Sequence, residues 1–482
     1  MNIPEEGLYA LLRQALAARV GVTRQRALYV ALRDAVLSGA LKANSQLPGS
    51  RVLAQALTLS RNTVNAALEQ LAIEGYVLRD RQGTRILTLA NTDVRPESPP
   101  PVALARRVQA LPGGMQRHSP ALALTPGIPA VNYFPLAVWR RLMERVWRGE
   151  GCALLNYGES AGELRLRSAI ARHLAISRGI NCEAEQVVIT EGAQEALMLC
   201  VRLLCDEGDH AWVEEPGYGG VKSAFLSAGL QISGRPIDDE GMVLSTGAAA
   251  PRMIYTSPSH QYPLGQVMSA TRRLALLDYA QRTGSWIIED DYDSEFRYPG
   301  DPIPAMLGMR SHPPVVYIGT FSKTLFPSLR IGFMVMPPAL AQVAGPAISS
   351  LLRGGHRGEQ LTLARFIEDG HYARHLAAMR RLYRKRQGNL LAALRQEMTA
   401  AHCVYGGGGG MHLTLSIPGI DDVAVVREAR KAQLAPHALS RFWLHPDAAS
   451  SGLVLGYGNT SASQFVSAVR TLNRLVVQQL GG

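Results

Sequence analysis

Four short runs in this chain, QVVIT (186–190), RMIYTSP (252–258), WIIED (286–290) and VVYIGT (315–320), are apolar without the alternation of a half-exposed strand. A strand that is apolar on both faces is buried on both. That is the condition of a parallel sheet covered by helices. Longer helical patterns such as GAQEALMLCVRLL (192–204) lie between the runs. From about residue 125 the chain therefore predicts a mostly parallel α/β sheet. Five consecutive glycines, Gly406–Gly410, precede the strand pattern MHLTLSI and read as a flexible turn. No internal repeat stands out.

The first quarter of the chain has another character. Residues 1–90 hold dense, short helical patterns, and NTDVRPESPPPVALARRVQALPGG follows. Pro99, Pro100 and Pro101 can occupy neither a helix interior nor a paired strand, so this stretch is a linker. Three regions are expected: a small domain over 1–90, a proline-rich linker over 91–124 and a large domain over 125–482. No run is long enough to span a bilayer, and the acid-bearing start MNIPEEGLYALLRQAL is not a signal peptide. The five cysteines are scattered, with only Cys200 and Cys205 close together in an apolar run. Buried thiols are expected, with no disulfide framework and no metal site. These points favour the cytoplasm.

The net charge of +11 permits nucleic acid without showing it. The helical pattern of the first region says more. Leu28, Leu32, Ala35 and Val36 share one face. After Gly39 comes QLPGSR, where Ser50 is placed to cap a helix starting at Arg51 with Leu53 and Leu57 inward. Ser60 is a second cap, for RNTVNAALEQLAIEGY, whose inward set is Val64, Ala67, Leu68 and Leu71. Arg61, Asn62 and Asn65 then face outward at its start. Two capped helices across a tight turn make a helix-turn-helix, whose second helix can enter a major groove. Arg suits guanine there, and Asn suits adenine. YVLRD, RQGT and RILTL read as two strands around a turn at Gln82–Gly83, a wing from which Arg79, Arg81 and Arg85 can meet phosphates. QLPGSRVLAQALTLSRNTVNAALEQLAIEGYVLRDRQGT resembles the GntR-type winged helix, with Gly49 where serine is common and RQGT in place of a more glycine-rich wing. The resemblance implies binding to a double-stranded DNA operator through Arg51, Ser60, Arg61, Asn62, Thr63, Asn65, Arg81 and Thr84.

The large region carries six further pieces. In GTFSKTLFPSLRIG, Lys323 follows a strand end, where ligands bind in open α/β sheets. Thr320, Ser322 and Arg330 suit a phosphate. WIIEDDYDSEFRY delivers Glu289, Asp290 and Asp291 at a strand end, an acid cluster suited to a hard cation or to a ring nitrogen. TEGAQEAL opens a helix whose first amides, at Gly192, Ala193 and Gln194, suit a phosphate or nothing more than a strand-to-helix junction. EEPGYGG presents Tyr218 for ring stacking, TSPSHQYPLG offers His260, Gln261 or Tyr262, and NYGESAGEL holds Tyr157 in a glycine-flanked loop. No partner set for a metal accompanies the acids. An amine, a ring-nitrogen acid and a phosphate cup together are what pyridoxal 5'-phosphate needs.

In this order the pieces resemble a class I, fold-type I aminotransferase over about 125–482. Joined to the winged helix, the chain resembles the MocR/GabR group of GntR-family regulators. SPSHQYPLG, IIEDDYDSEFRYPGDPIP and YIGTFSKTLFPSLRIG carry that resemblance. It implies a multidomain fold: a mostly α winged helix-turn-helix, then an α/β transferase of fold type I with large and small subdomains. It also implies that Lys323 holds the cofactor as an internal aldimine and is the catalytic lysine. Asp290 would meet the ring nitrogen, Tyr292 the ring oxygen and Tyr218 the ring face. Ala193, Gln194, Ser322 and Arg330 would hold the phosphate, with Thr320 and His260 nearby. Tyr157 would come from a partner in a head-to-tail homodimer. The effector would be an amine, an amino acid or pyridoxal phosphate itself. One departure stands out. In GLVLGYGN, Val454 occupies the place of an arginine that holds the substrate carboxylate in such aminotransferases, and Arg441 in SRFWL is nearby in sequence. That favours a sensor over a catalyst, while the retained Lys323 leaves transamination open.

Overall fold

The computed structural model of the chain describes residues 5–19, 21–89, 103–109, 111, 122–244, 249–298, 303–445 and 449–481. They fall into two compact units, Met1–Ala103 and Leu104–Gly482. Pro99, Pro100 and Pro101 lie outside the described residues, as does the PGDP segment at 299–302. No helix among the described residues is long and apolar enough to cross a membrane.

The first unit runs α1 (Glu5–Ala17), α2 (Arg24–Leu37), β1 (Gln46–Leu47), α3 (Ser50–Leu57), α4 (Arg61–Ile73), β2 (Val77–Asp80) and β3 (Gly83–Ile86). Leu8, Leu12 and Leu16 stand four apart, so α1 lays one apolar face into the core that α2 and α4 build around Leu28, Leu32, Leu68 and Leu71. Arg13 on α1 donates from Nε and Nη2 to the carbonyl of Ala56 at 2.9 and 2.7 Å. It thereby serves one of the carbonyls that the end of α3 leaves open. Ser60 caps α4 as expected, its hydroxyl accepting from the Thr63 amide at 3.1 Å. The cap expected at Ser50 is displaced by one residue. The Gly49 carbonyl already accepts from the Leu53 amide, so Gly49 holds the cap position and Ser50 is the first helical residue. The three strands form an antiparallel sheet in the order β1-β3-β2.

The second unit holds an eight-stranded sheet of β4 (Val187–Thr190), β5 (His210–Glu215), β6 (Gln231–Asp238), β7 (Gly241–Met242), β8 (Met253–Thr256), β9 (Trp286–Asp291), β10 (Val315–Thr320) and β11 (Gly332–Val335). Its order is β4-β11-β10-β9-β8-β5-β6-β7. The run β10-β9-β8-β5-β6 is parallel throughout. β11 and β7 are the antiparallel members. The chain turns straight back from β10 into β11, too short a return for the helical crossover that a parallel pair needs. A four-stranded antiparallel sheet of β12 (Cys403–Tyr405), β13 (His412–Ser416), β14 (His437–Ala438) and β15 (Gly452–Gly456) has the order β12-β13-β15-β14. Leu413, Leu415, Leu453 and Leu455 of that sheet pack in one core with Phe465, Val469 and Leu472 of the last helix.

Gly406–Gly410, read as a flexible turn, is tied down at its end. The Gly410 amide donates to the Phe296 carbonyl, and the Gly410 carbonyl accepts from Tyr298 and Tyr457.

Candidate functional site

The strand β9 ends in three acids, and its pleat sorts them. Ile287, Glu289 and Asp291 face one side, and Ile288 and Asp290 the other. Glu289 accepts from the amides of Met306 and Leu307 at 3.0 and 3.2 Å, with Arg273 at 3.9 Å. Asp291 accepts from Tyr317 at 2.6 Å and from Ser294 at 2.7 Å, and it is ion-paired with Arg178, whose Nε lies 2.8 Å away. Asp290 is different. Its Oδ2 accepts from the Tyr255 hydroxyl at 2.6 Å, while its Oδ1 is buried and finds no partner among the described residues. Burial pushes its carboxyl up to about 7, against the pull of Tyr255 and Lys323. An ionised carboxylate with one open, dry oxygen is suited to a cationic N–H donor.

Lys323 stands three residues past β10, in the turn before β11. Its Nζ donates to the Gly127 carbonyl at 2.8 Å. A methyl group at Gly127 would lie 2.7 Å from that nitrogen, so the lysine head rests directly on glycine backbone at φ +72°. Ser322 beside it has a buried hydroxyl without a partner among the described residues. The Thr320 hydroxyl accepts from the Ser322 amide at 3.2 Å. Arg330, at φ 52°, donates to the Glu191 carbonyl at 2.5 Å, and its guanidinium lies 3.1–3.2 Å from where a Cβ on Gly192 would stand. Gly192 (φ +83°) opens the helix Ala193–Leu204, whose first-turn amides lack intrahelical acceptors. A buried serine hydroxyl, a guanidinium and a helix N-terminus are thus the donors on hand, with Gly192 at positive φ between the last two. That donor set fits a phosphate, and Asp290 and Lys323 fit the ring and carbonyl of pyridoxal phosphate.

The loop after β8 supplies more. His260 is 6% exposed, and its Nδ1 lies 2.9 Å from Asp293 Oδ1 and 3.0 Å from the Tyr292 hydroxyl. His412 packs at 5.1 Å from the His260 ring, donates through Nε2 to the Pro263 carbonyl at 3.0 Å, and is held down to about 3 by burial and by His260. Gln261 is spent on the Pro216 and Tyr262 carbonyls and on Glu214. Tyr262 packs edge-on to Tyr218 and Tyr292. Donor atoms of His260, Asp293 and His412 lie within 4.8 Å of one another, a spacing a metal ion can use. The Gly410 backbone presses on this cluster, however: a Cβ there would lie 2.2 Å from the His260 ring and 2.6 Å from Asp293 Oδ2.

Val454, on β15, is fully buried and packs with Leu439 and Phe442 against Tyr262 and Leu264. Arg441 is exposed. Across the ladder from Val454 stands His437, which sequence reasoning passed over. Its Nδ1 is buried without a partner among the described residues. Burial, with Arg430, Lys323 and Arg441 adding positive charge, holds the imidazole down at about 4. Tyr157 is 92% exposed. Tyr255, Asp293, His412 and Gly127 were also missed. Asp293 stood in the EDDYDSEF motif directly after Tyr292, a signal that was present, whereas Tyr255, His412 and Gly127 reach the site from separate stretches that no spacing ties together.

On the first unit, Arg51, Arg61, Asn62 and Arg81 are exposed, and Ser60 and Thr63 are tied to each other at 2.8 Å. Arg79 donates to Asn65 Oδ1 at 3.2 Å, linking wing to helix. Thr84 departs from expectation: it is buried, because the two-residue period of β3 turns Thr84 and Ile86 inward and Arg85 outward. Gln46 reaches over to donate to the Gln82 carbonyl, and only glycine at 83 leaves room for that amide.

Known proteins fall in line with this geometry. The aminotransferase class I and II family matches residues 129–430, and the gntR family of bacterial regulatory proteins matches residues 24–86. The chain is 38% identical to the probable rhizopine catabolism regulatory protein MocR of Rhizobium meliloti, over 94% of this chain and 93% of that protein. It is 32% identical to the pyridoxine biosynthesis transcriptional regulator PdxR of Corynebacterium glutamicum, over 89% and 90% of the two chains. Among solved structures, the kynurenine aminotransferase of Pyrococcus horikoshii, in complex with PMP, superposes with a TM-score of 0.69 at 28% identity, covering 75% of this chain and 91% of that one.

Proposed function

The chain belongs to the aminotransferase class I and II family and carries that domain behind a gntR-family DNA-binding domain, and from this premise we propose that it is a pyridoxal-phosphate-dependent transcriptional regulator of the MocR/GabR type. We assign operator binding to residues 1–90 and cofactor and effector binding to residues 125–482. The observation that carries the cofactor reading is the division of labour on β9. Glu289 and Asp291 are consumed by the protein's own donors, and Asp290 alone keeps a buried oxygen open.

Pyridoxal phosphate supplies a carbonyl that captures primary amines and a ring that draws electrons from what it captures. The chain's own groups do the rest. Asp290 would hold a proton on the ring nitrogen, since a buried carboxylate facing a cation is stabilised by it. Ser322, Arg330 and the amides of Ala193 and Gln194 would hold the phosphate, with the Thr320 hydroxyl at its edge. Tyr218 would cover the ring. Lys323 would hold the cofactor until an amine displaces it, and would then be free to move a proton.

The effector is a primary amine, an amino acid or the cofactor itself. Val454, Leu439 and Phe442 make one buried apolar wall, and His437 stands across the ladder from Val454. That wall favours an effector without a carboxylate clamped by arginine at this point. The similarity to a pyridoxine biosynthesis regulator supports the cofactor as a ligand in its own right. We take the working form as a head-to-tail homodimer, with the exposed Tyr157 reaching the partner's site. Two winged helices on such a dimer would read two half-sites at matched spacing. A gel shift with upstream DNA, with and without pyridoxal phosphate, tests the regulator. Retarded DNA that responds to the cofactor is expected, and no retardation under any condition overturns the reading. A second reading, an active aminotransferase with an appended DNA-binding domain, rests on the retained Lys323. Formation of a keto acid from an amino acid by the purified protein would favour it.

A further inference from the structure

We propose that Asp293 and His260 form a relay that aims the Tyr292 hydroxyl proton at the cofactor's ring oxygen. The inference rests on the reading that pyridoxal phosphate binds beside Lys323 and Asp290, and adds two residues to that site with a role of their own.

The geometry leaves little choice of proton positions. Asp293 Oδ1 and the Tyr292 hydroxyl both lie against one atom, His260 Nδ1, at 2.9 and 3.0 Å. A carboxylate only accepts hydrogen bonds, so Nδ1 must carry the hydrogen that Asp293 takes. A nitrogen that is already N–H cannot accept from Tyr292. The tyrosine oxygen therefore shares the Nδ1 hydrogen as a second acceptor, and its own O–H proton has to go elsewhere. Among the described residues the Tyr292 hydroxyl has no other hydrogen-bond partner. Its proton is also firmly held. Burial first, then the charges of Asp293 and Asp290, keep this phenol well above its ordinary range. The result is a protonated donor, fixed from behind and open in front.

Three details separate this arrangement from an ordinary buried histidine. His260 Nε2 is buried and has no partner among the described residues, although a histidine placed only to fill a core usually satisfies both nitrogens. Gly410 brings bare backbone against the pair, so the His260 and Asp293 side chains have no room to turn away. His412, on the other side of the His260 ring, stays neutral and spends its Nε2 on the Pro263 carbonyl. Among the described residues, Tyr262 and His412 pack against the relay, Arg178 and Arg297 line the same small cavity as His260 and Asp293, and Asp293 is the charged group bonded to His260. A hydroxyl that accepts a hydrogen bond becomes a stronger donor, since each bond in a chain polarises the next. The relay therefore lowers the proton affinity of whatever oxygen Tyr292 meets.

The test is the pH titration of the visible absorbance of the full-length protein loaded with pyridoxal phosphate. Tyr292→Phe is expected to move the titration midpoint up by about one pH unit, a tenfold gain in proton affinity. His260→Phe and Asp293→Asn should move it in the same direction. His260→Asn, whose amide N–H can stand where Nδ1 stood, should bring it back toward the wild-type value. In the Tyr292→Phe background, His260→Phe should add nothing, because the two act through one bond. A midpoint unmoved in His260→Phe and in Asp293→Asn, or shifts that simply add to that of Tyr292→Phe, overturns the relay. Should His260→Phe fail to fold, Asp293→Asn decides by itself, since it keeps the shape of the side chain. A wild-type protein with no visible band at all would instead overturn the cofactor reading beneath the relay.

Discussion

The two units solve recognition in opposite ways. On the surface proposed to meet DNA, Arg51, Arg61, Asn62 and Arg81 are exposed, and the scaffold beneath them is a plain apolar core around Leu28, Leu32, Leu68 and Leu71. Each such side chain would meet a target largely independently of its neighbours. In the cofactor site the polar groups are buried and bonded to one another. Tyr255 serves Asp290, Asp293 serves His260, and His260 serves Tyr292. A long, solvated side chain can afford independence because water satisfies it. A buried polar group must be satisfied by protein, which ties its fate to that of its neighbours. Substitutions should therefore act locally and additively in the first unit, and cooperatively in the second.

The largest effect is expected at Lys323. Lys323→Ala should abolish the visible band of the protein incubated with pyridoxal phosphate, and its DNA retardation should no longer respond to the cofactor. A surviving band would mean that another amine holds the cofactor. Next is Asp290. A carboxyl raised from 3.8 to about 7 when folded stabilises the cofactor-free protein at low pH, and that contribution is lost as pH rises through about 7. The difference corresponds to about 4 kcal/mol. Urea unfolding of the cofactor-free protein should show this fall, and Asp290→Asn should flatten it while weakening cofactor binding. A profile unchanged by the substitution would place the titration elsewhere.

Smaller effects belong to the first unit. Arg61→Ala should weaken operator binding by about 1–3 kcal/mol if the guanidinium reads a base. Equal loss on operator and on unrelated DNA would reduce it to a phosphate contact. Ser60→Ala should cost about 1 kcal/mol of stability through loss of the cap on the Thr63 amide. Losses of operator binding in Arg61→Ala and Arg81→Ala, on separate elements, should then be near-additive, whereas the shifts in Asp293→Asn and Tyr292→Phe should not. If both pairs behave alike, the contrast between the units fails.

Much was legible in the chain before any coordinates. Apolar runs without alternation predicted the parallel strands, because a strand buried on both faces has no use for polar residues. Ser60, with Val64, Leu68 and Leu71 behind it, marked α4, because capping and helical period are local rules. Lys323, Asp290 and Ser322 stood out as candidates because each sits in a short motif at the end of a strand. The misses share a cause. Ser50 gave up its cap to Gly49 because the Gly49 carbonyl takes the first helical bond. Thr84 turned inward because strand phase, not residue type, sets which side chains face out.

What the sequence by itself determined was the order of parts: two helices across a tight turn, three acids at one strand end, a lysine past another, a glycine opening a helix. Those depend on interactions between residues close in the chain, and short-range physics writes them plainly. Which of the three acids stays open was decided only by the tertiary structure. Glu289 is taken by the amides of Met306 and Leu307 and Asp291 by Arg178, Ser294 and Tyr317, leaving Asp290 with Tyr255 behind it and an open oxygen in front. Apart from Ser294, those partners come from distant stretches of chain. Only packing can bring them within hydrogen-bond reach, and the cost of leaving a buried polar group unpaired is what makes the remaining gap informative.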